Sequence, residues 1–155
     1  MLLLAACLGA ARASAAGAAE GEPMEPHREA ERVEQARALM EGFAERTGVA
    51  GVGPGRRYLW TDAFAVASWL GLARATGDAR QRELALRLVE RVHDVLGRHR
   101  PDDPRTGRLG AASDAHPTRG GLRIGKPLAE RGPHEPGDAR LEWDRDGQYF
   151  HYLTK

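Results

Sequence analysis

The sequence predicts an all-α chain in which outer and inner helices alternate, followed by one long loop rich in Pro and Gly. Three observations predict it. Apolar residues recur at three- and four-residue spacing from Pro26 to Arg46 and again from Ala79 to Leu96. Between these stretches, Leu59 to Ala75 is apolar around its whole circumference, with almost no charge between Asp62 and Arg74. From Gly97 to Arg140 neither the helical nor the strand period is present.

The first helix, Pro26 to Arg46, consists of strong helix formers, with Val33, Ala36, Leu39, Met40 and Phe43 on its apolar face. Thr47-Gly48 is expected to stop it, because glycine suits the left-handed position after a helix. A glycine-rich loop, Val49 to Gly55, follows. The second helix carries Phe64, Val66, Trp69, Leu70 and Leu72 on all sides, so it is expected to be inner and fully enclosed. Thr61 or Asp62 would cap its start. Gly77 ends it, and Asp78 with Gln81 supplies a capping box for the third helix after almost no loop, giving a tight αα-hairpin. That third helix sets Leu84, Leu88, Val89, Val92, Val95 and Leu96 on one stripe and Arg80, Arg87, Glu90, Arg91 and Asp94 opposite, the pattern of an outer helix. A fourth, inner helix is expected from about Asp144, carrying Tyr149, Phe150, Tyr152 and Leu153.

Composition excludes several function classes. A formal net charge of +1 gives no electrostatic reason to expect a nucleic acid or an anionic membrane as partner. The single cysteine, Cys7, rules out an internal disulfide framework and a cysteine-based zinc site. Six scattered histidines show no helical pairing and no carboxylates at ligand spacing, so no metal and no cofactor are expected. No apolar run is long enough for a transmembrane segment. Residues 1–21 read as a leader, either a signal peptide or a low-complexity tail. Ala11-Arg12-Ala13 and Ala13-Ser14-Ala15 fit a cleavage site, and Leu4 to Cys7 fits a lipoprotein signal, but no basic residue precedes the apolar run. Export, as a secreted protein or a lipoprotein, and a cytoplasmic location both stay open.

Short turns between antiparallel helices make every inner helix run in the same direction. The starts of the second and fourth helices would then share one rim, which the long loop crosses. Asp62, Asp144 and Asp146 at that rim are candidates for the acid and base of a glycosyl-transferring or sugar-isomerising reaction. The bland reading is that each caps a helix. Trp60, Trp143 and Tyr149 are candidate sugar platforms, with Gln148, His151 and Arg123 as polar contacts. In the loop, His116 to Lys126 (HPTRGGLRIGK) reads either as an anion site or as a solvated basic stretch. Gly120 to Lys126 matches the start of a nucleotide-binding loop, yet Pro127 replaces the required hydroxyl and bars the required helix, so that reading is rejected.

Three stretches, RYLWTDAFAVASWLGLARATGD, HPTRGGLRIGKPLAERGP and RLEWDRDGQYFHYLTK, resemble uncharacterised bacterial and archaeal proteins of the six-hairpin glycosidase-like superfamily. The likeness covers about Gln35 to Lys155. Members share an (α/α)6 toroid with N-acylglucosamine 2-epimerases and unsaturated-glucuronyl hydrolases. What the resemblance implies is a partial (α/α) toroid, residues 26–155 being an N-terminal portion incomplete at its C-terminus, with a carbohydrate ligand where the inner helices begin. Arg108, Gly110 and His134 fall where the loop departs from the family pattern. Together these readings give a carbohydrate-active protein. Its complete form would carry glycoside hydrolase-like or sugar epimerase-like acid/base chemistry, and this chain alone would turn nothing over. The alternative is a non-catalytic helical module that binds carbohydrate or self-associates through the unfinished toroid edge.

Overall fold

The computed structural model describes residues 26–51 and 55–149. The leader, together with Phe150, His151, Tyr152 and Leu153 of the expected fourth helix, lies outside them. The described residues are mostly helical, with α1 at Pro26–Arg46, α2 at Leu59–Thr76 and α3 at Ala79–Leu96. No helix among them is long and apolar enough to cross a membrane.

At the end of α1 the Thr47 amide and hydroxyl both donate to the Phe43 carbonyl, at 3.0 and 2.7 Å, and Gly48 takes a left-handed φ of 69°. This disposes of one of the carbonyls a helix end leaves without a partner. The α2–α3 hairpin closes on Gly77, also left-handed, whose amide returns to the Ala73 carbonyl. Asp78 caps α3 by accepting from the Arg80 amide at 2.9 Å. Gln81 bonds the Asp78 carboxylate at 3.2 Å rather than its amide, a variation on the expected capping box.

The cap of α2 is not the expected one. Tyr58 is the cap residue and offers no side-chain bond, while Thr61 and Asp62 both lie inside the helix. The leading Leu59 amide instead donates to the carbonyl of Ile124 at 2.9 Å, and the Asp62 carboxylate reaches back to the Tyr58 amide at 3.2 Å. A distant loop has taken over the role that a local Ser, Thr or Asp usually plays.

The core lies between the hairpin and α1, with Ala44, Val49, Trp69, Leu72, Leu84, Leu88, Val92 and Leu96 all buried. Phe43 meets Trp69 edge to face, ring centroids 5.8 Å apart. Only one stripe of α2 is covered: Leu59, Asp62, Ala65, Trp69 and Leu72. Phe64 is 74% exposed and Leu70 45%, so the expectation of a helix enclosed on every side is corrected. α3 and α1 are the helices that pack substantially against it among the described residues, and two neighbours cannot surround a cylinder.

The expected fourth helix is also corrected over its described part. Glu142–Asp144 forms a single 3-10 turn, and Gln148–Tyr149 is a strand, β2, paired antiparallel with β1 at Leu122–Arg123. Leu122 faces Tyr149 and Arg123 faces Gln148 in the register. The Asp146 amide donates to the Leu128 carbonyl at 2.7 Å and the Gly147 carbonyl accepts from Ile124 at 2.9 Å. Backbone groups spent across the loop cannot close helical turns, and Gly147 is a poor helix residue besides.

Candidate functional site

β1 lies across two helix ends at once. Its neighbour Ile124 holds the start of α2, while the Arg123 guanidinium serves the end of α3, where Nη2 donates to the Val95 carbonyl and Nε to the Arg98 carbonyl, each at 2.7 Å. Those carbonyls sit at the negative end of the helix dipole, where a cation is favoured. The remaining arm of Arg123 donates to Asp146 at 2.6 Å.

Asp146 is 5% exposed and accepts from five groups. The Gly125, Lys126 and Gly147 amides donate at 2.7, 3.3 and 3.1 Å, and Arg100 adds a guanidinium bond at 3.3 Å to that of Arg123. A carboxylate has about four lone-pair positions, so this one is fully occupied. Arg100 is itself forked onto Asp102 and donates to the Lys126 and Pro127 carbonyls at 2.8 and 2.9 Å. Asp146 thus holds the 123–128 and 145–148 segments in register.

Asp62 sits in the first turn of α2, 3.6 Å from Arg57, both side chains almost wholly buried. Burial pushes the Asp62 carboxyl above its ordinary value, opposed by the Arg57 charge and the Tyr58 amide. Burial likewise lowers the Arg57 value, opposed by Asp62 and reinforced by Arg91. The guanidinium also donates to the Thr47 and Arg56 carbonyls, while Nη1 has no hydrogen bond among the described residues. Gly125, at φ 90°, packs so closely on the Arg57 carbonyl that no side chain fits between them.

Two clefts flank these buried acids. At the start of α2, a rim cleft of about 260 Å³ is lined by Arg56, Tyr58, Lys126, Trp143 and Asp144, with Gly125 and Pro127 between them. Trp143 is 78% exposed; Lys126 places its ammonium 4.3 Å from the ring centroid and donates to the Trp143 carbonyl. The Asp144 carboxylate and the Arg56 guanidinium are exposed and make no hydrogen bond or ion pair with described residues. A second cleft of about 340 Å³ contains His99, Arg105 and Glu130 beside Arg123, Asp146 and Gln148.

The sequence candidates therefore divide. Trp143 and Asp144 share the rim cleft; Arg123, Asp146 and Gln148 share the larger one; Asp62 is enclosed beneath the rim. Trp60 lies on the partly exposed flank of α2, Tyr149 stands opposite Leu122 in β2, and His151 lies outside the described residues. Arg56, Tyr58 and Glu130 carried no local signal, since they line a cleft only because β1 carries the loop to the helix ends. Among the described residues no three His, Cys, Asp or Glu side chains stand together in a way that would hold a metal ion. Comparison with family models, curated proteins and solved structures finds no match for this chain.

Proposed function

We propose that the chain forms part of an (α/α) toroid of a carbohydrate-active protein of six-hairpin glycosidase-like type, and that its rim cleft binds a sugar. One observation carries the reading: an exposed Trp143, steadied from one side by Lys126, stands in a cleft with a phenol, a guanidinium and a carboxylate that pairs with no described residue. The open ring face suits the apolar face of a pyranose, and Arg56, Tyr58, Lys126 and Asp144 can exchange hydrogen bonds with its hydroxyls. Asp144 is the carboxyl best placed to move a proton in glycosidase-like or epimerase-like chemistry. Asp62 and Asp146, already engaged by arginines, shape the rim.

A glycan panel titrated into wild type with isothermal titration calorimetry as readout tests this. Trp143→Ala is expected to weaken the best ligand about tenfold. Asp144→Asn separates chemistry from binding, because turnover lost with binding retained assigns proton transfer to Asp144. Wild type that binds without turnover acts as a binding module alone. If no sugar binds wild type, the reading fails.

A second reading, a helical module that self-associates, is favoured by the outward Phe64 and Leu70 of α2. Sedimentation velocity at micromolar concentration would then show a dimer or larger species that Phe64→Asp converts to monomer. A monomeric wild type removes it.

A further inference from the structure

Beyond the end of α3, away from both clefts already described, a shallow cleft of about 430 Å³ is lined by His93, Ala115, His116, Pro117, Thr118 and Arg119. Its polar side chains are two imidazoles, a hydroxyl and a guanidinium, and among the described residues no carboxylate lines it. None of the four makes a side-chain hydrogen bond or ion pair with a described residue.

The surroundings remove the usual objections to an anion here. Two of the acids about the cleft are engaged, Asp114 by Arg108 at 2.8 Å and Arg98 at 3.8 Å, and Asp94 by Arg108 at 3.3 Å, while Glu90 pairs with no described residue. The carbonyl end of α3 would repel negative charge, but the His93 carbonyl accepts from Gly97 and Arg108, and the Val95 carbonyl from Arg123. The turn itself is fixed. Arg119 and Gly121 amides donate to the His116 and Thr118 carbonyls at 3.2 and 2.9 Å, and Gly120 is pressed so tightly on the Leu109 carbonyl that only glycine fits. Charged and polar groups facing His93 are Arg108, Asp94 and Glu90.

We propose that this cleft binds a tetrahedral oxyanion of the phosphate class, free or as a monoester, through Arg119, His116, Thr118 and His93. Arg119 supplies permanent charge and a planar fork, Thr118 a neutral hydroxyl donor, and the imidazoles ring N–H donors. The site is independent of the sugar cleft, so either can fail alone.

The test titrates inorganic phosphate, and separately glucose 6-phosphate, into the full chain at constant ionic strength in chloride, following the imidazole resonances by NMR. Saturable shifts are expected at His93 and His116, with the other imidazoles as internal controls. Arg119→Ala should raise the half-saturating concentration about tenfold and Arg119→Lys should recover part of it. Tighter saturation by glucose 6-phosphate identifies a monoester as the ligand; equal saturation identifies the free anion. Absence of saturation, equal shifts at every imidazole, or an unchanged affinity in Arg119→Ala overturns the proposal.

Discussion

Asp146→Ala is expected to destabilise the folded chain by about 3–5 kcal/mol, the range found when one partner of a buried ion pair is removed. Five donors lose their acceptor together, and Arg123 is left as a largely buried cation with no carboxylate partner among the described residues, while Arg100 keeps its fork onto Asp102. Asp146→Asn should recover only a fraction, because an amide offers one acceptor oxygen and no charge. Equilibrium unfolding in urea measures the loss, while far-UV circular dichroism checks that α1 to α3 persist. A loss below about 1 kcal/mol would mean that water replaces the carboxylate at little cost, and that the loop is held by something else.

The Arg57–Asp62 pair should respond unequally to removal of its two members. Asp62→Ala strands a guanidinium that cannot shed its proton, at an expected cost of about 3–5 kcal/mol near neutral pH that does not shrink as pH falls. Arg57→Met strands a carboxyl that burial already pushes upward, and this group can become neutral by taking up a proton. The cost of Arg57→Met should therefore shrink as pH falls. The sign for the intact chain follows from linkage. The folded Asp62 value lies above the unfolded one, so the folded state holds the proton more tightly. Its contribution is a penalty, complete above the folded value, that declines as pH drops and vanishes below the ordinary carboxylate value near 3.9. Urea unfolding of both variants from about pH 4 to 7 checks this. Costs that run parallel across the range would contradict it.

Helix positions were legible because their causes are local. The periods of α1 and α3, the Gly77 stop and the Asp78 cap all act within one or two turns, and the observed spans agree with the expected ones. The segment after Asp144 was misread because its partner, Leu122–Arg123, is remote in the chain. Nothing in the letters around Asp146 announces that its carboxylate will gather amides from Gly125 and Lys126 and guanidiniums from Arg100 and Arg123. Arg123 stood out as a candidate ligand contact, yet all three of its nitrogens are spent on protein acceptors. Enclosure of α2 was overstated for another reason: apolarity on all sides says what a helix tolerates, and the number of neighbours decides what is covered.

Arginine in this chain also does what apolar packing does elsewhere. Arg57, Arg91, Arg100, Arg108 and Arg123 each donate to main-chain carbonyls of another segment, from Thr47 and Gly48 to His93, Val95 and Lys126. A planar fork satisfies two or three such oxygens in directions that one ammonium cannot match. Lysine exchanges that preserve every charge would therefore unfasten the crossover. The loop after α3 is a polar scaffold whose joints are cations, and its clefts are as rigid as those joints.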